Sequence, residues 1–276
     1  MNRIALDNLL RQALLEDIGK GDITSEAIFN EGDVAKGYLL AKENMILAGT
    51  TVFSQVFALL DERVKVEFGL TDGECVKQGE KFGWISGPTR ALLAGERVAL
   101  NFLQHLSGIA TVTRKYVEAC GANRTNIVDT RKTTPGLRLL EKYAVTVGGG
   151  KNHRYALDSM VLIKDNHRAA AGGILAAVEK VRRSVSPFVK IEVEVETIEQ
   201  VQEALGAGVD VIMLDNMSLS MVQKAVEIIN RKALIEVSGN ITLERVADLA
   251  ALGVDIISSG ALTHSVKAAD ISMRLE

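Results

Sequence analysis

The chain has 276 residues, of which 47% are hydrophobic, enough to bury one large core or two modest ones. Its formal net charge of −3 gives no general attraction to nucleic acid or to anionic membranes, so any chemistry with anions has to be local. No apolar run approaches the ~18 residues of a membrane span, and Cys75 and Cys120 have no metal-binding spacing. We therefore expect a cytoplasmic protein that binds neither nucleic acid nor membrane.

The first part of the chain, to about residue 110, mixes helical and strand patterns without a regular alternation. The N-terminal helix is amphipathic and carries acidic residues, so it fits neither a signal peptide nor a transit peptide. Gly108 is expected to break or bend the last helix of this part, because glycine is a poor helix former. The patterns predict a helix over 2–16, strands over 34–49, a helix over 50–61, short antiparallel strands over 64–87 and a helix over 88–119.

From residue 126 the rhythm changes, because short runs rich in Val, Ile and Leu alternate with helical segments. This alternation predicts parallel strands joined by crossover helices. One of these helical segments covers 169–183. Polar residues end every strand in turn, which favours a barrel or partial barrel over a doubly wound sheet with one switch point. The strand signals are NIVDTRK, SMVLIKDN, FVKIEVEVE, VDVIMLDN, ALIEVSGN and VDIISSGAL.

Parallel strands bring their carboxyl ends to one rim, where barrel enzymes keep their sites. The first two strand ends are cationic, the middle two are acidic, and the last two are small with free backbone N–H groups. This layout suits one elongated anionic substrate together with a metal and a sugar. The rim residues are Arg131 and Lys132; Lys151, His153 and Arg154; Lys164, Asp165 and Asn166; Glu192, Glu194 and Glu196; Asp215 and Asn216; Ser238, Gly239 and Asn240; and Ser259 and Gly260.

Each of these features also has a purely structural interpretation. A single strand-end Asp or Ser-Gly pair is more often a helix cap or a turn than a ligand. His105 falls inside a helical pattern, where a structural or interfacial role is expected. Three acids on one face of a buried strand are costly unless they meet cations, and the first two strand ends could supply those cations.

Particular blocks of sequence resemble the quinolinate phosphoribosyltransferases, also called carboxylating nicotinate-nucleotide pyrophosphorylases. The blocks are EDIGKGDIT, GERVALNFLQHLSGIAT, DTRKTTPGLR, GGGKNHR, VLIKDNH, IEVEVE, VIMLDN, VSGN and SSGAL, in the family's order. The resemblance implies an N-terminal α/β sandwich domain at 1–110 and an incomplete parallel α/β barrel at 111–270. It also implies a tail at 271–276 that packs back on the N-terminal domain, and a homodimer or higher homo-oligomer with shared active sites.

The family's reaction joins quinolinate to phosphoribosyl pyrophosphate with Mg²⁺ and yields nicotinate mononucleotide, pyrophosphate and CO₂ for de novo NAD biosynthesis. By matching motif, Arg131 and Arg154 clamp the two carboxylates of quinolinate, and His153 lies beside them. The implied catalytic residues are Lys132, Lys164, Glu194 and Asp215, of which Glu194 and Asp215 face the ribose and the metal. The remaining implied binding residues are Thr130, Ser238, Gly239, Asn240, Ser259, Gly260, Ala261 and, from the partner chain, Arg97.

Alternative functions stay open at this point. A Schiff-base aldolase would use Lys164 as its nucleophile, although the cations around this lysine favour bound anions. A molybdenum-transport-associated relative would keep the fold without the activity. A non-catalytic binding module is the third alternative, and the density of charged residues at the strand ends argues against it.

Overall fold

The computed structural model describes residues 2–276, and this part of the chain divides into two compact units. The first unit runs to Arg114 and also takes in Thr134–Gly149 and Ser265–Glu276. The second unit comprises Lys115–Thr133 and Gly150–His264. The candidate site residues lie in the second unit, with the exception of Arg97.

The predicted helices and strands occur in the predicted order, whereas the helix Ile23–Ile28 and the strand Ile271–Leu275 were not predicted. The helices are α1 (Arg3–Ile18), α2 (Ile23–Ile28), α3 (Thr50–Leu60), α4 (Thr89–Ala119), α5 (Arg138–Val147), α6 (Asp165–Ala171), α7 (Ile174–Ser184), α8 (Ile198–Gly206), α9 (Leu219–Ile229), α10 (Leu243–Ala251) and α11 (Ala261–His264). The strands are β1 (Val34–Ala41), β2 (Met45–Ile46), β3 (Lys65–Phe68), β4 (Cys75–Val76), β5 (Lys81–Pro88), β6 (Asn126–Val128), β7 (Val161–Ile163), β8 (Ile191–Val195), β9 (Val211–Asp215), β10 (Leu234–Ser238), β11 (Ile256–Ser258) and β12 (Ile271–Leu275). None of the helices in the described residues combines the length and the apolar character that crossing a membrane requires.

The first unit is built on an antiparallel sheet with the strand order β12-β1-β5-β3. Phe53 on α3 packs edge-on against Phe68 on β3, with ring centroids 5.7 Å apart, and Phe68 stacks with Phe82 on β5. These contacts fix α3 against one face of the sheet. Strand β12, from the C-terminal segment, forms the edge of this sheet beside β1.

The long helix α4 passes through Gly108 without interruption, so the expected break at this glycine is wrong. A Cβ at residue 108 would lie 2.3 Å from the carbonyl oxygen of Lys267, within the same unit. Glycine is therefore needed here for a close approach of two backbones, a use that the sequence alone does not distinguish from a helix break.

The second unit contains a parallel sheet with the strand order β6-β11-β10-β9-β8-β7. The first and last strands of this order, β6 and β7, are not paired with each other in the described residues; on its open side β6 has an isolated parallel bridge from Val128 to Lys151, which precedes β7. The sheet is thus an incomplete barrel. The predicted fold class, an N-terminal α/β sandwich with an incomplete parallel α/β barrel, is confirmed.

Two helices differ from the regular crossover pattern. Helix α5, which follows β6, belongs to the first unit. The helix predicted over 169–183 is divided into α6 and α7 at Gly172 and Gly173, whose φ angles of 93° and 118° are left-handed. Because residues with side chains rarely adopt these angles, this pair of glycines ends one helix and starts the next.

Candidate active site

Two arginines come together beside the gap in the barrel. The backbone of Lys151 pairs with β6, since its N–H donates to Ile127 at 2.8 Å and its carbonyl accepts from Asp129 at 3.2 Å. Arg131 and Arg154 consequently follow neighbouring parallel segments. Burial lowers the pKa of Arg154, and the positive charge of Arg131 lowers it further, while Glu192 has the opposite effect. Two guanidinium groups close enough to affect each other electrostatically make a positively charged region suited to an anion with two carboxylates.

His153 is held beneath these arginines by two buried carboxyl groups. Its Nε2 lies 3.1 Å from Oε2 of Glu192 and 3.5 Å from Oε2 of Glu236, and its backbone N–H donates to Asp129 at 2.9 Å. Its Nδ1 accepts the backbone N–H of Arg154 at 2.7 Å, so Nε2 carries the ring hydrogen. The ring therefore connects the interior of the barrel to the backbone of one clamp arginine.

Glu192 and Glu236 stand on β8 and β10 and are 0% and 1% exposed. Burial raises the pKa of Glu192 to about 7 and that of Glu236 to about 8; the charge of Glu192 raises the latter further. Two carboxyl groups in contact hydrogen-bond only when a proton lies between them, so the pair shares one at neutral pH. With His153 they also have the spacing of a metal site, since the three ligand atoms lie within 4.8 Å of one another. The positive charge of Arg154 favours the ionised form of Glu192 and lowers its pKa, against the larger effect of burial.

The three acids of β8 and its end each meet a basic group. Besides Glu192 with its histidine, Glu194 Oε2 accepts from Lys164 Nζ at 3.0 Å, and Glu196 Oε2 lies 3.9 Å from Arg168. Lys164, from the second strand end, thus pairs with Glu194 as expected, whereas the partner of Glu196 is Arg168 of α6 and that of Glu192 is a histidine. Glu194 is buried while Glu196 is exposed, so the middle acid is the one that stands beside the strand-end lysine.

Asp215 ends β9, the strand next to β8, and comes close to Glu194. Burial raises the pKa of Asp215, and the negative charge of Glu194 raises it further. The amide of Asn216 donates to this carboxylate at 2.7 Å, and Lys164 opposes the shift. A pair of carboxylates under mutual repulsion, with a lysine beside them, is able to bind a cation or hydroxyl groups.

The turn after β10 presents Ser238, Gly239 and Asn240. Both Gly239 and Asn240 are left-handed, with φ of 86° and 49°. Oδ1 of Asn216 accepts from the Asn240 amide at 3.0 Å and lies 2.3 Å from where a Cβ of residue 239 would be. The glycine is needed both for its backbone angle and for this close contact, which interlocks the turns after β9 and β10.

The turn after β11 lies against Lys132. A Cβ at Gly260 would be 2.9 Å from Cδ of Lys132, and the Thr263 hydroxyl donates to the carbonyl of Lys132 at 2.8 Å. The backbone N–H of Lys132 donates to the Thr130 hydroxyl at 3.0 Å. Lys132 is thereby brought beside Ser259, Gly260 and Ala261. A lysine in this position can bind a phosphate together with the backbone N–H groups of the turn.

Arg97 occupies a different place from the other predicted binding residues. It is exposed on α4, in the first unit, next to Glu96. Its assignment to a site shared with a partner chain stays a prediction.

The comparisons with known proteins identify the family of this chain. The family model for the quinolinate phosphoribosyl transferase N-terminal domain matches residues 22–107, and that for the C-terminal domain matches 109–274. The chain belongs to this family. A probable nicotinate-nucleotide pyrophosphorylase (carboxylating) of Bacillus subtilis is 48% identical over 273 residues, 99% of this chain and 94% of that protein. The family resemblance and the enzyme class predicted from the sequence are confirmed.

Solved structures of family members have nearly the same backbone. The crystal structure of NadC from Streptococcus pyogenes is 48% identical, with a TM-score of 0.96 over 100% of this chain and 98% of that one. The nicotinate-nucleotide pyrophosphorylase from Francisella tularensis is 38% identical, also with a TM-score of 0.96 and the same coverage. The structural similarity therefore covers the residues of both units.

Sequence reasoning missed parts of the site. Glu236 was absent from the predicted set, and the signal for it is an acid in the middle of the apolar strand LIEVS. Asn216 was noted at a strand end but given no role, although it fixes the turn that carries Gly239. In both cases the importance comes from a partner on another strand, which a single segment does not reveal.

Proposed function

We propose that this protein transfers the phosphoribosyl group of phosphoribosyl pyrophosphate to quinolinate, with loss of CO₂. The products are nicotinate mononucleotide and pyrophosphate, and the reaction is a step of de novo NAD biosynthesis. The observation that carries the proposal is the match of both family models along nearly the whole chain, with the strand-end residues of the motifs gathered in one unit. Neither the aldolase nor the molybdenum-transport-associated protein is favoured by the relatives.

Arg131 and Arg154 bind the two carboxylates of quinolinate. Each guanidinium offers a planar fork of N–H donors that matches a carboxylate. Support comes from the partial burial of Arg154 and from the positive charge of Arg131 beside it, both of which lower the pKa of Arg154. His153 holds the backbone of Arg154 and so sets the position of one half of this clamp.

The phosphoribosyl group lies across the remaining strand ends. Ser238, Gly239 and Asn240, together with Ser259, Gly260 and Ala261, offer backbone N–H groups to the 5-phosphate. Lys132, beside Gly260, and Lys164, beside Glu194, neutralise phosphate and carboxylate charges. Glu194 and Asp215 face the ribose.

The chemistry requires no activated serine or cysteine. The pyridine nitrogen attacks the anomeric carbon of the ribose, and its lone pair forms the new C–N bond while pyrophosphate leaves with the electrons of the broken bond. A carboxylate beside the ring, from Glu194 or Asp215, stabilises positive charge that develops on the sugar. The alkylated pyridinium then accepts the electron pair released by the adjacent carboxylate as CO₂ departs, and a proton replaces CO₂ on that carbon. The contribution of Arg131 and Arg154 is mainly to hold quinolinate in the reactive orientation.

Mg²⁺ fits the pair formed by Glu194 and Asp215. Burial and then the negative charge of Glu194 raise the pKa of Asp215, and a divalent cation would relieve both effects. Mg²⁺ is commonly held by one or two carboxylates together with substrate phosphates, and it supplies charge neutralisation on the leaving pyrophosphate. Chelation with EDTA is expected to abolish turnover, and addition of Mg²⁺ to restore it; turnover that survives chelation would remove Mg²⁺ from the proposal.

We also propose a homodimer or higher homo-oligomer located in the cytoplasm. The exposed Arg97 is available to complete the site of a partner chain. The thiols of Cys75 and Cys120 are both free, as is usual in a reducing compartment.

The direct test is to incubate the purified protein with quinolinate, phosphoribosyl pyrophosphate and Mg²⁺. Nicotinate mononucleotide and CO₂ should appear in equal amounts. Lys164→Ala, prepared in parallel, should form neither, which ties the activity to this site. A folded wild-type protein that forms neither product would overturn the proposed reaction.

A further inference from the structure

A buried acid in the first unit contacts the segment that carries the clamp. Glu141, on α5, has a fully buried side chain. Its Oε1 accepts from Nε2 of His105 on α4 at 2.9 Å, and its Oε2 accepts from the backbone N–H of Thr134 at 3.1 Å. The hydroxyl of Thr134 donates to the same carboxylate. All three residues belong to the first unit.

These contacts keep Glu141 ionised in spite of its burial. Burial alone would raise its pKa, but the hydrogen bonds from His105 and Thr134 together outweigh that effect and lower it. A buried carboxylate held in this way makes strong, short hydrogen bonds with a defined direction. Glu141 is therefore a rigid acceptor on a rigid helix.

Thr134 is part of the segment DTRKTTPGLR, two residues after Lys132 and three after Arg131. The segment is compact: the backbone N–H of Thr133 donates to Arg131 at 2.9 Å, and that of Leu137 donates to Thr134 at 3.0 Å. Pro135 further restricts Thr134, because a residue before proline is confined to extended angles. A fixed Thr134 thus leaves little freedom for the two cations before it.

The hydrogen bond between Thr134 and Glu141 is not explained by the need to satisfy a buried backbone group alone. Thr134 is an exposed residue of a loop, yet its backbone N–H meets a carboxylate that is fully buried. Removing a carboxylate from water is unfavourable, and the chain instead places one beneath this loop with a histidine to orient it. We therefore interpret the buried carboxylate as a group that fixes the position of Thr134.

We propose that His105 and Glu141 are positioning residues of the phosphoribosyl transfer site, which hold Thr134 and, through the backbone, set the placement of Arg131 and Lys132. His105 orients the carboxylate, and the carboxylate fixes the loop. Neither residue touches the substrate. This inference rests on the proposed function, because it assigns Arg131 to the binding of quinolinate.

The test compares Glu141→Gln with Tyr143→Phe, a control on the same helix. Tyr143 donates its hydroxyl to Asp72, so the control also removes a partly buried hydrogen bond, yet it leaves the contact with Thr134 intact. KM for quinolinate should rise in Glu141→Gln on the order of tenfold or more, since small displacements of binding groups cost up to about 100-fold. In the control KM should stay at the wild-type value even where the melting temperature falls equally. Equal KM values in the two variants would overturn the proposal.

Substitutions at His105 cover the case in which Glu141→Gln does not fold. His105→Gln keeps an N–H donor for the carboxylate and should retain most of the affinity for quinolinate, whereas His105→Leu removes the donor and should raise KM. If the two variants behave alike, the orienting role is wrong. Arg131→Ala in the same assay distinguishes a failure of the proposed function from a failure of this inference. An unchanged KM in Arg131→Ala contradicts the proposed binding site itself. A raised KM in Arg131→Ala together with a wild-type KM in Glu141→Gln contradicts only the positioning role.

Discussion

Substitutions of Arg131 distinguish the contribution of its positive charge from that of its planar guanidinium group. Arg131→Ala leaves one substrate carboxylate without its partner, which should cost about 3 kcal/mol and raise KM for quinolinate by about 100-fold. Arg131→Lys keeps the charge but loses the planar fork, so it should recover only part of the affinity. Arg183→Ala is a suitable control, because this arginine is exposed and its ion pair is with Glu179 on the same helix. Full recovery with lysine would show that charge alone is needed.

The raised pKa of Glu236 leads us to expect that the stability of the protein depends on pH. The pKa of this carboxyl group is about 8 in the folded protein against an ordinary 4.5, so the folded state holds the proton more tightly than the unfolded state. Its contribution is fully present below about pH 4.5 and is lost as the pH rises through 8. Glu236→Gln imitates the neutral acid and should therefore lose less stability than the wild type between pH 5 and pH 9.

Urea unfolding at pH 5, 7 and 9 measures this difference. The buried Glu192 has a raised pKa of the same sign and is coupled to Glu236, so the gap between the two curves reports on the titration of the pair. Parallel curves for the two proteins would contradict the raised pKa.

At the scale of elements, Gly108 gives a prediction opposite to helix propensity. Alanine normally stabilises a helix relative to glycine by about 1 kcal/mol. Here the new Cβ would meet the carbonyl oxygen of Lys267, so Gly108→Ala should destabilise the protein. Gly206→Ala on α8 is the matched control, because nothing lies within 4 Å of its Cβ position and alanine should stabilise there. Thermal melting compares the two, and a stabilised Gly108→Ala would contradict the close packing.

The order of most elements was predictable because they have local signals, although α2 and β12 were not predicted. The switch from irregular patterns to alternating strands and helices placed the parallel sheet, and polar strand ends placed the chemistry. The break at Gly108 was predicted wrongly, since the reason for this glycine is a backbone from the C-terminal segment that approaches it. The helix over 169–183 was predicted as one, because two adjacent glycines inside an apolar pattern do not reveal their left-handed angles.

The site was predictable only as far as motifs extend. Arg131, Arg154 and Lys164 stand in recognisable blocks of sequence. The buried pair of Glu192 with Glu236 depends on the pairing of three strands, and the contact of Asn216 with Gly239 depends on two turns that meet in space. Such relations follow from the folded structure rather than from any one segment.

For the whole molecule, the proposed shared site predicts complementation between inactive chains. Arg97→Ala and Lys164→Ala should each be inactive alone, because every site in either homodimer lacks one group. In a heterodimer, one site lacks both groups and the other lacks neither, so mixing should restore up to about half of the activity per site. The measurement uses heterodimers purified with two different tags. No recovery in them would show that Arg97 acts within its own chain or not at all.

The central claim is that this enzyme recognises a pyridine with two adjacent carboxylates. The most direct test measures kcat/KM for quinolinate and for nicotinate, which lacks the second carboxylate, under the same concentrations of phosphoribosyl pyrophosphate and Mg²⁺. An arginine left without its anion should cost about 3 kcal/mol, so quinolinate should be preferred by at least about 100-fold. Equal use of both substrates would contradict the two-carboxylate clamp formed by Arg131 and Arg154.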